Sequence, residues 1–284
     1  MLDFFEQAKE NKFGIGAFNF SNLEQLKAIA QAADKLKAPI LVSTSEGESG
    51  FMGKNQARAL VDSWRREKGV PLGLHLDHGK SFSVIKEAIT VGYDSVHFDG
   101  SELSWKENIE MTRQIVKWAK KYDIPVEGEL GYLRGGSNIH EIVKIQEEDL
   151  TEPKKAAEFV EATGVDSLAI AIGNIHGINL KQENPSLFLD RLVEIDKKIG
   201  KDCFLVLHGG SGTPENDIQE AVQKGITKIN INTELRIAYT KALKKSLKEN
   251  SKKVTPYKIM LPVVEAVQKV VEKKIKLFGG DNKI

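Results

Sequence analysis

The sequence contains one cysteine in 284 residues, which excludes a disulfide within the chain and a metal site built from several thiolates. Long apolar runs are also missing. Segments such as Leu168–Ile172 and Cys203–Leu207 have the length of a strand and fall far short of the roughly 20 residues that cross a bilayer. We therefore expect no membrane-spanning segment and no membrane partner.

Neither sign of charge is in excess, because 41 basic side chains accompany 40 acidic ones and the net charge is +1. A dedicated nucleic-acid-binding protein normally carries a basic excess, so nucleic acid is not an expected partner. Residues Met1–Gly14 include Asp3, Glu6 and Glu10 and lack the apolar run of a signal peptide. These features favour a cytoplasmic protein.

What the sequence does contain is a repeated unit of a short aliphatic strand, a polar turn and a helix. The continuous apolar character of the strands is typical of a parallel sheet covered on both faces. The pattern predicts a single (β/α)8 barrel, a TIM barrel, over residues 1–284 with extra C-terminal helices. An open doubly wound sheet is the alternative, but its glycine motif is missing after the first strand. The predicted strands are Gly14–Phe18, Ile40–Ser43, Leu72–Leu76, Ser95–Phe98, Val126–Glu129, Ser167–Ala171, Phe204–Leu207 and Lys228–Ile231.

Local signals predict where several helices begin and end. Capping boxes at Ser21–Glu24 and Ser104–Glu107, and Thr213 before Pro214, predict three helix starts. Two further helices are expected around Thr233–Glu249 and Leu261–Phe278. Helix stops are predicted at five glycines, namely Gly69, Gly92, Gly164, Gly200 and Gly225.

Histidines gather where the strands of such a barrel end, which is where barrel enzymes build their active sites. Three of them follow three different strands: His78, His176 and His208. Three imidazoles suit an open zinc site whose fourth position is left for water or substrate, with hydrogen-bonded structural histidines as the alternative. His75 and His97 precede Asp77 and Asp99 by two residues, so we interpret them as packed or supporting residues.

Carboxylates end three of the predicted strands. Asp77 is adjacent to His78, where it can transfer a proton or orient a ligating imidazole, and the spacing leaves both roles open. Asp99 and Glu129 can hold a second cation through oxygen ligands or act as structural hydrogen-bond acceptors.

Two segments near the C-terminus indicate phosphate binding. The glycine-rich turn His208–Gly212 follows the seventh strand, and Asn230–Thr233 leads from the eighth strand into a helix. Backbone N–H groups in such turns and at helix N-termini bind anions, and barrel enzymes commonly place a phosphate after these two strands. The alternative to phosphate binding is that these glycines only form turns.

Six motifs taken together resemble those of the class II fructose- and tagatose-bisphosphate aldolases. The resemblance begins with GAFNF at Gly16–Phe20 and covers nearly the whole chain. It implies a zinc-dependent barrel that reversibly cleaves a ketose bisphosphate to dihydroxyacetone phosphate and an aldehyde such as glyceraldehyde 3-phosphate. The motifs are HLDHG at His75–Gly79, FDGS at Phe98–Ser101, EGELG at Glu127–Gly131, IGNIHG at Ile172–Gly177, LHGGSG at Leu207–Gly212 and KININTELR at Lys228–Arg236.

The resemblance also implies a role for each matching residue. His78, His176 and His208 correspond to the zinc ligands and Asp77 to the acid/base. Asp99 and Glu129 correspond to positions that can carry a second cation. The predicted substrate-binding residues are Asn19, Gly177, Gly209, Gly210, Ser211, Asn230, Ile231, Asn232 and Thr233.

The sequence departs from the family pattern in two places. The loop motif GGxED, which supplies a mobile glutamate, is replaced by GGSNI at Gly135–Ile139, so His140 or Glu141 is predicted to take over its proton exchange. An Asp-Pro-Arg motif, whose arginine can reach the far phosphate, is replaced by Thr255–Lys258. The sequence therefore leaves the identity of the aldehyde half undetermined. A phosphorylated ketose other than fructose or tagatose 1,6-bisphosphate is an alternative substrate.

The sequence argues against two other enzyme functions and leaves one non-catalytic function open. A Schiff-base aldolase needs an interior lysine near a strand end, whereas the sixth strand has none and Lys228 begins its strand. A zinc hydrolase lacks a histidine pair on the first strand. A non-catalytic sugar-phosphate sensor remains an alternative because the loop glutamate is missing.

The last predicted helix carries an apolar stripe that either covers the barrel or joins two subunits. Its members are Val263, Val264, Val267, Val270, Val271 and Ile275. The resemblance favours a homodimer, or a higher homo-oligomer, because family members associate through their terminal helices.

Overall fold

The computed structural model describes residues 2–201, 203–249, 252 and 254–284. Eight parallel strands close into a barrel, which confirms the predicted fold class. The barrel strands are β1 (Ile15–Asn19), β2 (Ile40–Ser45), β3 (Leu72–Gly79), β4 (Ser95–Phe98), β5 (Val126–Leu130), β7 (Ser167–Ile170), β9 (Phe204–Leu207) and β10 (Ile226–Ile231). Around the barrel they follow the order β1-β10-β9-β7-β5-β4-β3-β2.

All eight barrel strands lie where the apolar runs predict them, with ends that differ by up to three residues. The difference matters most in β3, which was expected to end at Leu76 and continues to Gly79. Asp77 stays in the ladder because it pairs with Ser45 of β2. Pairing with β4 shifts register between Leu76 and Gly79, so His78 sits at an irregularity of the barrel wall.

Helices cover the barrel on its outer face, as a parallel sheet requires. The described residues contain eleven α-helices and two short 3-10 helices, Lys120–Tyr122 and Glu147–Asp149. The α-helices are α1 (Leu2–Glu10), α2 (Leu23–Leu36), α3 (Glu46–Met52), α4 (Lys54–Lys68), α5 (Phe82–Val91), α6 (Trp105–Ala119), α7 (Pro153–Thr163), α8 (Leu189–Ile199), α9 (Glu215–Gln223), α10 (Thr233–Glu249) and α11 (Pro256–Leu277).

The predicted helix starts are partly right. Ser104 forms its capping box with Glu107, as predicted. The box at Ser21 is wrong by one residue, because the Asn22 side chain accepts the N–H of Gln25 and caps α2. Thr213 is not a cap, since its hydroxyl donates to the carbonyl of Gly209 and α9 begins after Pro214.

The helix ends predicted at glycines agree with the structure more closely than the predicted helix starts do. Four of the five lie at the C-cap of a helix, namely Gly69, Gly92, Gly164 and Gly200. The fifth, Gly225, comes one residue after the C-cap Lys224. These glycines end the helices in conformations that side chains disfavour.

Two further strands lie outside the barrel, in the segments that follow β5 and β7. β6 (Gly135–His140) and β8 (His176–Asn179) form a parallel two-stranded sheet outside the barrel. Neither segment has a continuous apolar run, so the pattern that identifies the barrel strands is absent from them. We call this sheet the flap.

The apolar stripe of the last helix is used inside the chain. α11 packs against α2 and α10, and five of its six stripe residues are buried. Most of the stripe therefore covers the barrel, and Val270 alone of the six is only partly buried. No helix in the described part of the chain has both the length and the apolar character needed to cross a membrane.

Candidate active site

A pocket opens at the carboxyl ends of the barrel strands and is partly covered by the flap. Eleven of the fifteen predicted site residues line it, together with Ser137 from the flap, which the sequence did not indicate. The lining residues are Asn19, Asp77, His78, Ser137, His176, Gly177, His208, Gly209, Ser211, Asn230, Asn232 and Thr233. The fold thus brings the predicted zinc and phosphate residues into one cavity.

The position of His78 depends on unusual backbone. Its φ of 53° lies in the left-handed region that side chains disfavour. Its N–H donates to Nδ1 of His97 at 3.1 Å, which compensates this strained conformation within the barrel wall. The irregularity turns the His78 imidazole into the pocket, and His97 acts as its support, as expected.

Two imidazoles face each other across the pocket. His78 Nε2 and His208 Nδ1 are 3.1 Å apart, and Asp77 Oδ1 lies 3.9 Å and 4.0 Å from these two nitrogens. Two imidazole ligands of one tetrahedral zinc ion are about 3.3 Å apart, given the usual bond length. The donor atoms of this pair therefore fit a metal ion with little movement.

His176 lies beside this pair. Its ring centre is 5.0 Å from that of His78 and 6.2 Å from that of His208. Burial, together with the charge of His78, lowers the pKa of His176 to about 3, so the ring is neutral and has a free lone pair. The compact donor group consists of Asp77, His78, His97 and His208 and does not include His176. Its role as a ligand remains a prediction.

The second predicted cation position is engaged with His78. The imidazole Nδ1 lies 2.9 Å from Asp99 Oδ2 and 3.7 Å from Glu129 Oε2. Burial alone would lower the pKa of His78, but Asp77 and Asp99 outweigh it and raise the pKa to about 9. In this arrangement Asp99 orients the ring through a hydrogen bond, and Glu129 lies beyond hydrogen-bond distance. These three residues also form a donor group that can hold a cation, so the second cation stays a prediction.

His208 contacts a buried ion pair, formed by Glu127 and Lys228, that the sequence did not predict. His208 Nε2 is 2.7 Å from Glu127 Oε1, and Glu127 Oε2 accepts from Lys228 Nζ at 2.6 Å. Burial would raise the pKa of Glu127, but Lys228 outweighs it and the pKa falls to about 2. Glu127 therefore carries a negative charge and accepts the hydrogen of His208.

Lys228 occupies a different place from the one expected. It lies inside β10, fully buried in the barrel, because the strand begins at Ile226. Its ammonium group contacts His75 Nε2 at 3.0 Å as well as Glu127. His75 is thus a buried supporting residue, as expected. Lys228 does not line the pocket, which agrees with the argument against a Schiff-base mechanism.

Asp77 is held by two asparagine side chains. Asn19 Nδ2 donates to one carboxylate oxygen and Asn230 Nδ2 to the other, each at 2.9 Å. Burial would raise the pKa of Asp77, but the positive charges of His78 and Lys228 outweigh it and keep the pKa well below its ordinary value. Asp77 is therefore an ionised carboxylate, held in a fixed orientation at the edge of the imidazole pair.

Glycines form the wall opposite Asp77. A Cβ on Gly177 would lie 2.2 Å from the carbonyl of Asn138, and one on Gly209 would lie 2.1 Å from the carbonyl of Ile175. Both glycines have positive φ, so only glycine lets these loops approach so closely. The close approach brings the flap onto the turn after β9.

One buried amide links the two glycine-rich loops. Asn184 Nδ2 donates to the carbonyls of Gly177 and Ser211, a role that no sequence motif indicates. The first turn of α10 begins beside them at Thr233, and the positive end of a helix attracts anions. The resulting cradle can hold a phosphate.

Two predicted substrate residues do not line the pocket. Ile231 is fully buried in the hydrophobic core, and the N–H of Gly210 donates to the carbonyl of Asn230. They hold the neighbouring backbone in place. Asp99 and Glu129 likewise lie behind His78 rather than at the pocket surface.

Comparisons with known proteins identify the family of the chain. The family model described as fructose-bisphosphate aldolase class-II matches residues 1–283. A sulfofructosephosphate aldolase from Alkalicoccus urumqiensis is 37% identical over 98% of this chain and 95% of its own. A fructose-bisphosphate aldolase from Thermus caldophilus is 36% identical, covering 98% of this chain and 97% of its own.

A solved structure is similar over nearly the full length. The YdjI aldolase from Escherichia coli K12 has a TM-score of 0.83 and 34% identity, covering 99% of this chain and 97% of its own. The chain therefore belongs to the class II fructose-bisphosphate aldolase family. Its relatives are aldolases, and the family generally uses a divalent metal.

Proposed function

We propose that this protein is a zinc-dependent aldehyde-lyase that reversibly cleaves a ketose phosphate to dihydroxyacetone phosphate and an aldehyde. Fructose 1,6-bisphosphate and tagatose 1,6-bisphosphate, which would yield glyceraldehyde 3-phosphate, are the first substrates to test. One observation carries the proposal: the ionised Asp77 lies beside two imidazole nitrogens, on His78 and His208, that face each other at 3.1 Å. Family membership supports the same chemistry.

The imidazoles of His78, His176 and His208 would hold the zinc ion. When bound, zinc supplies a Lewis acid for the oxygens of the dihydroxyacetone half of the substrate. Glu127 fixes the hydrogen of His208 on Nε2 and leaves Nδ1 free as a ligand. Asp99 orients His78 in the same way.

Asp77 moves the proton. In cleavage its carboxylate removes the proton of the C4 hydroxyl as the C3–C4 bond breaks, and in condensation it returns that proton. Asn19 and Asn230 hold the carboxylate through both oxygens, so its orientation does not change when the proton arrives. The phosphate of the dihydroxyacetone half lies against Gly177, Gly209–Ser211 and the start of α10.

The remaining parts of the proposal concern assembly and compartment. We expect a homodimer or a higher homo-oligomer, supported by family membership. The single cysteine, Cys203, is buried and unpaired, which is compatible with a reducing cytoplasm.

The proposed function is tested by triose phosphate release. Purified protein is incubated with ketose mono- and bisphosphates, and dihydroxyacetone phosphate is measured before chelation, after chelation and after zinc is added back. We expect chelation to abolish release and zinc to restore it. Binding of ketose phosphates without any release would contradict the proposal and indicate a sugar-phosphate sensor, whereas full activity after chelation would contradict the zinc mechanism.

A further inference from the structure

A buried carboxylate stands at the edge of the pocket without a role in the chemistry described above. Glu48, in α3, is 7% exposed and accepts the backbone N–H of Ser45 at 2.9 Å. Its other side-chain contacts are Asn19 Nδ2 at 3.0 Å and Asn232 Nδ2 at 3.2 Å, which line the pocket. It also accepts from Arg236 Nη2 at 2.7 Å, which lines an adjoining groove that shares Ser137 and Thr233 with the pocket. One acid therefore organises three polar side chains on the side of the pocket next to Asp77.

These contacts determine which way the amides face. A carboxylate accepts hydrogen bonds only, so Asn19 and Asn232 present their amino groups to Glu48 and turn their carbonyl oxygens elsewhere. The Oδ1 atoms of Asn19, Asn230 and Asn232 are buried and have no hydrogen-bond partner among the described residues. Buried acceptors normally have donors, and hydroxyl groups of a bound polyol would supply them.

Glu48 also neutralises the cation closest to this wall. Arg236 donates through Nη2 to Glu48 and through Nη1 to the carbonyl of Ser137 at 3.0 Å. An anionic group bound beside Arg236 would have to compete with the Glu48 carboxylate for the guanidinium. Like charges brought together in a buried pocket are unfavourable. The wall therefore favours neutral hydroxyls over a phosphate.

We propose that Glu48 is a positioning residue that selects the aldehyde half of the substrate. It holds Asn19 and Asn232 as hydroxyl acceptors and pairs with Arg236, so the preferred substrate is a ketose 1-phosphate whose far end carries a hydroxyl. This inference rests on the proposed aldolase activity and narrows its substrate class.

The wild-type protein provides the first test. Fructose 1-phosphate and fructose 1,6-bisphosphate differ only in the group on C6, and kcat/KM for dihydroxyacetone phosphate release is measured for both. We expect the monophosphate to have the higher kcat/KM. Preference for the bisphosphate would overturn this inference and leave the aldolase proposal intact, whereas cleavage of no ketose phosphate at all would overturn the proposed function itself.

Substitution of Glu48 provides the second test. Glu48→Gln removes the charge and keeps the size, so Arg236 becomes available to an anion. We expect the ratio of kcat/KM for the bisphosphate to that for the monophosphate to rise about tenfold or more, mainly through a lower KM for the bisphosphate. The ratio comes from one preparation, so a partly unfolded sample does not change it.

Two further variants make the result specific. Adding Arg236→Met to Glu48→Gln is expected to abolish the rise in the kcat/KM ratio. The guanidinium that Glu48→Gln makes available to the phosphate is then absent. Glu46→Gln is the matched control, since Glu46 lies in the same helix and accepts the N–H of Lys80 instead of binding the pocket wall. An unchanged ratio in Glu48→Gln, or an equal rise in Glu46→Gln, would contradict the proposal. If Glu48→Gln does not fold, the comparison of fructose 1-phosphate with fructose 1,6-bisphosphate in the wild-type protein still tests the proposal.

Discussion

His208 donates its Nε2 hydrogen to Glu127 at 2.7 Å, and this bond aims the opposite ring nitrogen at His78. Glu127 accepts from the fully buried Lys228 on its other oxygen. A cation in the barrel interior thereby keeps a carboxylate charged, and the carboxylate fixes the tautomer of a predicted ligand. The metal site therefore depends on residues that do not reach the pocket.

This relationship predicts the effect of Glu127→Gln. The variant weakens the acceptor for His208, and we expect metal affinity to fall about 10- to 100-fold, as for other partners of metal-ligating histidines. The measurement is a competition titration of zinc against a chelator. Glu158→Gln, on an exposed face of α7, is the control and should bind zinc like the wild type.

The same variant leaves Lys228 buried beside a neutral group, which is expected to cost about 3–5 kcal/mol of unfolding free energy. Adding Lys228→Met should recover most of that stability without restoring zinc affinity. Chemical denaturation of the metal-free variants measures the first effect, and the zinc titration measures the second. If Lys228→Met restored both the unfolding free energy and the zinc affinity, Glu127 would act only by stabilising the fold.

Asp77 gives the second prediction. Asp77→Asn keeps the size of the side chain and removes the proton acceptor, so turnover should fall by at least about 100-fold. Zinc content and affinity for a dihydroxyacetone phosphate analogue should stay close to wild type. A loss of zinc in this variant would instead show that Asp77 acts chiefly by orienting a ligand.

The third prediction follows from the raised pKa of His78. Without metal this pKa is about 9, above the ordinary 6.5, so the ring is protonated at neutral pH and must lose its proton to bind a metal ion. Metal binding should therefore release one proton, and apparent affinity should rise about tenfold per pH unit until the pH passes His78's pKa.

Calorimetry in buffers with different ionisation enthalpies measures this proton release directly. His176 and His208 should contribute little, since burial lowers both of their pKa values and they are already neutral. An observed heat that does not vary with the buffer would contradict the prediction.

The sequence predicts the barrel well because eight buried strands each leave a continuous apolar run. It locates pocket residues such as Asp77 and His208 because strand ends converge in a barrel. It does not reveal the Glu127–Lys228 pair, because charged residues inside a strand give no periodic signal and their pairing depends on barrel closure. It also misses the flap, whose strands consist largely of glycine and polar residues.

The flap carries the last prediction, which concerns proton exchange at the bound triose phosphate. Asn138 stands where the family has an acid, so His140 and Glu141 are the candidates for this step. Glu141 is 80% exposed and pairs with Lys181 at 3.1 Å on the flap surface. His140 Nε2 instead lies 2.8 Å from the carbonyl of Gly136 and would be 2.7 Å from a Cβ on Gly177.

His140 is therefore the candidate next to the phosphate cradle, and flaps of this kind often complete an active site when substrate binds. We expect His140→Ala to slow hydrogen–deuterium exchange of dihydroxyacetone phosphate by about 100-fold, the usual size of a general acid–base contribution. Glu141→Ala, which removes only the surface ion pair, should exchange at the wild-type rate. NMR of the triose phosphate in deuterated buffer gives both rates. Equal exchange in both variants and the wild type would mean that the flap only covers the site, and that Asp77 or water moves the proton.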